Sequence, residues 1–315
     1  MEIRKDYILE RWIIISERRG KRPQDFVTNI APDAKKNCVF CGGNEDQTPA
    51  EIYRVEKNKK WQVRVIPNKF AAVEINGSPI IQTHNLYYTF GDGYGSHEVV
   101  IETPLHGKNY GDLSNEEMTM ALKTYALRIE ELQKKAHINY VCLFKNQGKD
   151  AGASVNHPHS QIISMAMIPP VVQEKLDAVK RYPYCPYCDI ISKEKDSFRR
   201  CFENDSFIAF TPYASRFNYE VWIFPKHHIK SFKDFSEKSY ADLADVLKKL
   251  TVRLESINAA YDIEWYYSPK NEDLHFHIEI LPRISIWAGL EMGFGVDINS
   301  VSPENAAKFY RGEQF

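Results

Sequence analysis

The 315-residue chain presents the same succession of chemistry-bearing segments twice, and that duplication limits its fold more than any other feature. The first copy runs from Cys38-x-x-Cys41 through a strand-like stretch, 63–73, to a second strand, 98–101, that ends in Thr103-Pro104-Leu105-His106. The second copy runs from Cys185-x-x-Cys188 through 206–210 to 220–224, ending in Pro225-Lys226-His227-His228. A long amphipathic helix follows in each. In the first, Ser114 to Glu117 reads as a capping box ahead of a stripe of Met118, Leu122, Tyr125, Ile129 and Leu132. The second starts near Ser236, with a stripe of Tyr240, Leu243, Leu247, Leu250, Leu254 and Ile257. Each stripe reads as core. A β-rich segment comes next, 140–144 or 264–267, and then a histidine-rich strand, 157–163 or 275–281. The repeat predicts an α+β protein of two similar halves, 1–168 and 169–315, joined around 169–183.

Side chains alternate across a strand, so His157, His159 and Gln161 project to one side, as do His275, His277 and Glu279. Each half thereby presents a polar row. The paired cysteines read as metal clips rather than redox couples, because a C-x-x-C turn supplies two of the four ligands that structural zinc requires. The repeat proposes Cys38, Cys41, His106 and His157 for one site. It proposes Cys185, Cys188, His228 and His275 for the other, with His227 the rival of His228. Four protein ligands close the coordination shell, so both sites are expected to be structural. The competing reading is that these histidines only cap strands. Cys142 and Cys201, set in apolar surroundings, read as buried thiols.

Composition narrows the function. Lys and Arg number 41 against 42 Asp and Glu, a net charge of −1, which argues against a polyanionic partner such as nucleic acid. The amino terminus lacks the apolar core of an export signal, and no stretch approaches the roughly 18 apolar residues of a membrane span. A cytoplasmic protein without membrane contact is expected. A neutral imidazole held on a strand beside a metal ligand is a good nucleophile toward phosphorus, which singles out His159 and predicts a phosphoramidate intermediate. The small-residue loop 148–154, with Lys149 and Ser154, can bring backbone N–H groups and a hydroxyl against phosphate oxygens. Gln161 can hydrogen-bond a phosphoryl oxygen without titrating, whereas a histidine there could act as acid and base. A glutamine therefore favours transfer over hydrolysis.

The run Asn156-His157-Pro158-His159-Ser160-Gln161 resembles the His-Pro-His-x-Gln motif of galactose-1-phosphate uridylyltransferases, the transferase branch of the histidine-triad superfamily. The resemblance extends over nearly the whole chain. Trp12-Ile13-Ile14-Ile15-Ser16 with the basic Arg18-Arg19-Gly20-Lys21-Arg22-Pro23 is similar to the family's first strand and turn. Pro67-Asn68-Lys69-Phe70-Ala71-Ala72 resembles its Asn-x-Phe-Ala-Ala segment, and Lys145-Asn146-Gln147-Gly148 its Glu-Asn-Lys-Gly stretch. The resemblance implies a duplicated histidine-triad-like fold, with antiparallel sheets and one long helix packed in each half. It implies that His159 is nucleotidylated and that Gln161 stabilises the adduct. Asn146 and Ser154 would contact phosphates, Arg19 and Arg22 the sugar phosphate, and Asn68 and Phe70 the nucleotide. A solvated turn for the arginines and core packing for Phe70 are the alternatives.

The second cysteine pair resembles a plant-type branch with two zinc sites, which includes an ADP-glucose phosphorylase. Near the carboxy terminus, Gly289-Leu290-Glu291 keeps the family's Gly-aromatic-Glu frame with a leucine in the aromatic position, and Asp297 stands near where the family carries glutamine. Glu291 becomes the candidate sugar contact. The resemblance therefore implies a uridylyl transfer between UDP-hexose and hexose 1-phosphate through nucleotidyl-His159, with two structural Zn2+ ions per chain, no organic cofactor, and a homodimer. ADP-glucose phosphorolysis is the alternative, and a zinc-stabilised nucleotide-binding module a third reading. The loop before His277, Ser268-Pro269-Lys270-Asn271, lacks the glycines of the first copy, so one active row per chain is expected.

Overall fold

Apolar residues at every second position, such as the buried Trp61, Val63 and Val65, select strands. The computed structural model, which describes residues 1–21 and 38–313, assembles them into three sheets. The chain begins with an antiparallel hairpin of β1 (Glu2–Lys5) and β2 (Trp12–Ile15). Next come β3 (Tyr53–Lys57), β4 (Lys60–Pro67), a small exposed hairpin of β5 (Gln82–His84) and β6 (Tyr88–Phe90), and β7 (Gly95–Ile101). Helix α1 (Asn115–Gln133) leads into β8 (Tyr140–Gln147) and β9 (His159–Met165). Two shorter helices, α2 (Pro170–Val179) and α3 (Pro186–Glu194), open the second half. There β10 (Arg200–Glu203), β11 (Phe207–Phe210), β12 (Val221–Pro225), α4 (Glu237–Ser256), β13 (Tyr261–Tyr266) and β14 (His277–Pro282) repeat the order of the first. The chain closes with α5 (Gly289–Phe294), β15 (Val296–Asn299) and α6 (Pro303–Arg311).

Ten strands form one antiparallel sheet in the order β10-β11-β12-β14-β13-β8-β9-β7-β4-β3. Five come from each half, and the two sets mirror one another outward from the β13–β8 seam. That seam pairs Tyr261 with Gln147 and Trp265 with Leu143, so the duplication closes into one continuous sheet. Helices α1 and α4 pack against each other, α1 over β4, β8 and β9 and α4 over β11. Their starts are set by side chains. Ser114 accepts the N–H of Glu117 while the Glu117 carboxylate accepts that of Ser114, and Ser236 accepts the N–H of Ser239. Met118, Leu122, Tyr125, Ile129 and Leu132 on α1 are buried with Leu243, Leu247, Leu250 and Leu254 on α4. Full burial of such side chains contributes about 1.5–3 kcal/mol each.

Three local expectations change. Ile257 is not part of the stripe: α4 stops at Ser256, Asn258 takes a left-handed φ of 54°, and the Ala259 N–H turns back onto Leu254 O. Ile257 is left 40% exposed. The stretch 63–73 does not remain a strand to its end, because β4 stops at Pro67 and the Asn68 side chain accepts the Phe70 N–H at 2.9 Å, folding a turn. The connection 169–183 is not a bare linker. Pro170 occupies the first turn of α2, where its missing N–H costs nothing, and Val172 and Leu176 are buried. The first residues also cross to the far end of the chain, since β2 pairs in parallel with β15.

At the seam, Asp262 of β13 is partly buried and bonded by Arg283 at 3.2 Å, and desolvation lifts its carboxyl to about 6. The native state therefore holds a proton that the unfolded chain releases from about pH 3.8 upward. Stability falls as pH rises through that window and stays lower above it. Asp262→Asn should remove this slope and stabilise the protein by about 1–3 kcal/mol at pH 8 while changing little at pH 4. Urea unfolding of both proteins at the two pH values checks this.

Candidate active site and metal centres

Four donor atoms converge where β7 ends and β9 begins. Cys38 and Cys41 lie in a tight turn, the Cys41 N–H bonded to Cys38 O, and their sulfurs stand 3.6 and 3.8 Å from His157 Nδ1. His106 completes the group, all four donors lying within 4.8 Å of one another. A tetrahedral zinc with bonds of 2.0 to 2.3 Å requires ligand separations of about 3.3–3.8 Å, the range in which the two sulfur–Nδ1 distances fall. The His157 ring is oriented for it, because Nε2 donates to Thr103 O at 2.7 Å and Nδ1 is left to face the sulfurs.

The second group repeats the design. Cys185 caps α3 and Cys188 lies in its first turn. Cys188 Sγ is 3.5 Å from His228 Nδ1 and 3.6 Å from His275 Nδ1, and Cys185 Sγ is 3.8 Å from the latter. His275 Nε2 points at Pro225 O at 3.2 Å and His228 Nε2 at Asp273 Oδ1 at 2.8 Å. Of the adjacent pair 227 and 228, the structure places His228 in the group. Burial holds His157 down at about 4 and His275 at about 3, keeping both rings in the neutral form that ligates a metal. Both sets of four residues could hold a metal ion. Cys142 and Cys201 stand apart, and burial pushes the Cys142 thiol up to about 12, which makes it inert.

His159 opens β9 and is 7% exposed. Its Nδ1–H donates to the carbonyl of His157 at 2.7 Å, which leaves Nε2, on the opposite edge of the ring, with the lone pair. The first metal group thus anchors the backbone carbonyl that sets the His159 tautomer. Desolvation lowers the pKa of His159, which favours the neutral ring, and Phe40 holds it edge to face at 5.4 Å. Behind the strand, buried Lys145 donates to Glu102 at 2.6 Å and to His159 O at 3.1 Å. Glu102 also accepts from Tyr125 and Ser160. Satisfied on every side, this network fixes β9 against α1.

Gln161 lies on the same side of β9 as His159. Its Oε1 accepts from His97 Nε2 at 2.9 Å and from Asn68 Nδ2 at 3.4 Å. His97, on β7, carries no signal in the duplicated pattern, because the second half has no histidine in its place. Phe70 is not core: it is 84% exposed. Asn146 lies one residue before the end of β8, beside the loop 148–154, whose reversals use Gly148 at φ 87° and Gly152 at φ 85°. The N–H groups of Ala151, Gly152 and Ala153 turn back onto Gly148 and Lys149 carbonyls, so they are not a phosphate cradle. Ser154 is exposed.

Other candidates lie elsewhere. Arg19 sits in a short helical turn after β2, which pairs with β15, and Glu291 caps its own helix at Ala288 N with α5 packed on β15. The structure does not bring either into bonding contact with His159 within one chain. Asp297 is buried and paired with Arg216 at 2.6 Å, a structural role. Arg22 lies outside the described residues.

The second row is closed. His277 Nδ1 bonds His275 O at 2.9 Å, matching His159, but its Nε2 meets the ammonium of Lys175 from α2 at 3.1 Å. Lys175 also donates to Glu279 at 2.6 Å, holding that carboxyl far below its usual range against the opposing burial. Phe224 and Tyr266 stack on the His277 ring at 5.0 and 4.9 Å. No substrate phosphorus can approach that nitrogen. Lys175→Met strands a buried carboxylate and should cost about 3–5 kcal/mol, much of it recovered by adding Glu279→Gln, as read by urea midpoints.

The chain matches a family model described as galactose-1-phosphate uridyl transferase, N-terminal domain, over residues 2–169, and a domain of unknown function, DUF4921, over 102–309. It is 33% identical to an ADP-glucose phosphorylase of Arabidopsis thaliana over 98% of this chain and 92% of that protein. It is 26% identical to a galactose-1-phosphate uridylyltransferase of Thermotoga maritima over 99% and 98%. The crystal structure of the Arabidopsis ADP-glucose phosphorylase with bound ADP-glucose superposes with a TM-score of 0.83 at 31% identity, covering 100% of this chain and 99% of that one. A uridylyltransferase structure superposes at 0.77 with 27% identity over 99% and 98%. The family match runs from the first hairpin through the His159 strand, and these relatives carry the likeness to the far end: the chain belongs to the galactose-1-phosphate uridyl transferase family.

Proposed function

We propose that the chain transfers a uridylyl group between UDP-hexose and hexose 1-phosphate in two displacements at His159. The observation that carries this reading is the His159 ring itself: neutral, locked at Nδ1 by a backbone carbonyl, with Nε2 left as nucleophile. In the first step Nε2 attacks the α-phosphorus, the P–N bond forms, and the bond to the bridging oxygen breaks as hexose 1-phosphate leaves. In the second, a phosphate oxygen of the incoming hexose 1-phosphate attacks the same phosphorus and the P–N bond breaks. The carbonyl of His157 supports the positive charge that the ring carries as adduct. Gln161 offers its NH2 to a non-bridging oxygen; it cannot supply a proton, which favours transfer over hydrolysis. Asn68 and Phe70 would receive the nucleotide, the exposed ring of Phe70 being available to stack on the base. Asn146 and Ser154 would contact phosphate oxygens.

Zinc suits both Cys2His2 groups, since softer thiolate with imidazole in a tetrahedral spacing is its preferred set. Thiolate clips of this kind suit a reducing compartment, which supports a cytoplasmic setting. No helix among the described residues is long and apolar enough to cross a membrane. The exposed Ile81, Leu86, Tyr87 and Tyr88 around the β5–β6 hairpin support a homodimer. In a dimer, Arg19, Arg22 and Glu291 could serve the partner's sugar phosphate.

A second reading, ADP-glucose as donor and inorganic phosphate as acceptor, is favoured by the greater identity and TM-score to the Arabidopsis ADP-glucose phosphorylase. A matrix of UDP-, ADP- and GDP-sugars against phosphate and hexose 1-phosphates, read by product mass, separates the two. Uridylyl exchange with hexose 1-phosphate supports the first reading; ADP formed only from ADP-glucose with phosphate replaces it with the second. Nucleotide binding without turnover in every cell of the matrix would overturn both.

A further inference from the structure

We infer that His97 is a positioning residue that fixes the Gln161 carboxamide with its NH2 group turned toward the transferring phosphoryl; this rests on the role given to Gln161 above. The hydrogen bonds determine which way each group points. The Ala72 N–H donates to His97 Nδ1 at 3.1 Å, so that nitrogen is the acceptor and the ring proton sits on Nε2. Nε2–H then donates to Gln161 Oε1 at 2.9 Å. Asn68, whose Oδ1 is taken by the Phe70 N–H at 2.9 Å, sets its Nδ2 3.0 Å from His97 Nε2 and 3.4 Å from Gln161 Oε1. The His97 donor therefore holds the glutamine oxygen, which leaves the glutamine NH2 for a ligand. His97 is 9% exposed, and burial lowers its pKa, which maintains this neutral tautomer.

The closed row in the other half shows the same positions filled differently. On β7 and β9, Val99 pairs with Gln161 and His97 lies two residues earlier. On β12 and β14, Trp222 pairs with Glu279, and two residues earlier stands Glu220. Where the row is open, the pair is a neutral donor and an amide. Where Lys175 seals it, the pair is two buried acids, Glu220 being raised to about 7 by burial and by the neighbouring Glu279 charge. A lone buried histidine kept only for packing would not require a ring held at Nδ1 by the Ala72 N–H and aimed by Nε2 at the amide opposite it.

Two substitutions separate positioning from scaffolding. His97→Asn keeps an acceptor near the Nδ1 position for Ala72 but removes the donor to Gln161. His97→Gln places an amide donor near the Nε2 position and gives up the Ala72 bond. Pre-steady-state mixing with the nucleotide sugar that the wild-type enzyme uses reads the rate of His159 nucleotidylation. His97→Asn should slow it by about 10- to 100-fold with little change in donor KM, and His97→Gln should restore it to within a few-fold. Adding Gln161→Ala to His97→Asn should cost no more than Gln161→Ala alone. The inference is overturned if His97→Asn reacts at the wild-type rate, if His97→Gln is the more damaged variant, or if the losses add. Wild-type protein that forms no adduct would sink the proposed function instead, and Gln161→Ala at full rate would remove the role on which the inference rests.

Discussion

His159→Asn is expected to lower nucleotidyl transfer by about 10⁴- to 10⁶-fold, the loss typical of deleting a covalent nucleophile. It should do so without unfolding the chain. His159 is no member of either Cys2His2 group, its ring touches Phe40 at the edge, and its backbone remains bonded to Lys145. Asparagine can still donate toward the His157 carbonyl, so the strand keeps its local hydrogen bond while the nucleophilic nitrogen is gone. Turnover, metal content and thermal midpoint measured on one preparation check this. A variant with wild-type metal content and midpoint but activity reduced less than about tenfold would favour direct displacement by the acceptor over the covalent route.

Loss of the first metal group is expected to be nearly as damaging, through a different path. Cys41→Ser removes a thiolate from a set in which His157 is held from both ends, by the sulfurs at Nδ1 and by Thr103 at Nε2. Structural zinc contributes roughly 10–16 kcal/mol of apparent binding energy in small metal-folded peptides, and a metal held by this set would lose part of its binding energy in the variant. The thermal midpoint should fall by about 10 °C or more. Activity per folded molecule should fall as well, because the His157 carbonyl that holds the His159 tautomer is anchored by that site. Cys188→Ser offers the contrast. It should lose one metal ion and stability, yet alter activity per folded molecule far less, since His275 anchors only the sealed row. Metal analysis, calorimetry and specific activity of the two variants distinguish these outcomes; equal activity loss in both would contradict the proposed link between the first site and His159.

Local patterns carried much of the architecture. The capping serines Ser114 and Ser236, the apolar stripes behind them and the order of cysteine pairs and histidine strands are all read within short windows, where periodicity and capping chemistry operate. The β13–β8 seam is different, because which edge of one half meets which edge of the other depends on packing between segments more than a hundred residues apart. The site divides along the same line. His159 and Gln161 stand out because alternation puts them on one side of β9, while His157, at the same spacing, lies just before the strand and turns its ring to the cysteines. His97 reaches that row from the neighbouring strand and is invisible to any single-strand pattern. Lys175 closes the second row from a helix in the stretch that joins the two halves, where no element of the repeat points to it. The absence of glycines before His277 pointed toward an idle row, but the physical obstruction is the ammonium group. Arg19 and Glu291 illustrate the converse. The family resemblance singles them out, while in the fold Arg19 follows β2 and Glu291 lies on α5 packed against β15, the strand that pairs with β2.

The most direct test is the intact mass of the protein after brief mixing with UDP-glucose or ADP-glucose without acceptor, followed by peptide mapping. The account predicts one added nucleoside monophosphoryl group per chain, carried on His159, lost when hexose 1-phosphate or phosphate is supplied and absent from His159→Asn. Product formation at full rate with no such adduct at any mixing time, or an adduct that persists in His159→Asn, would contradict it.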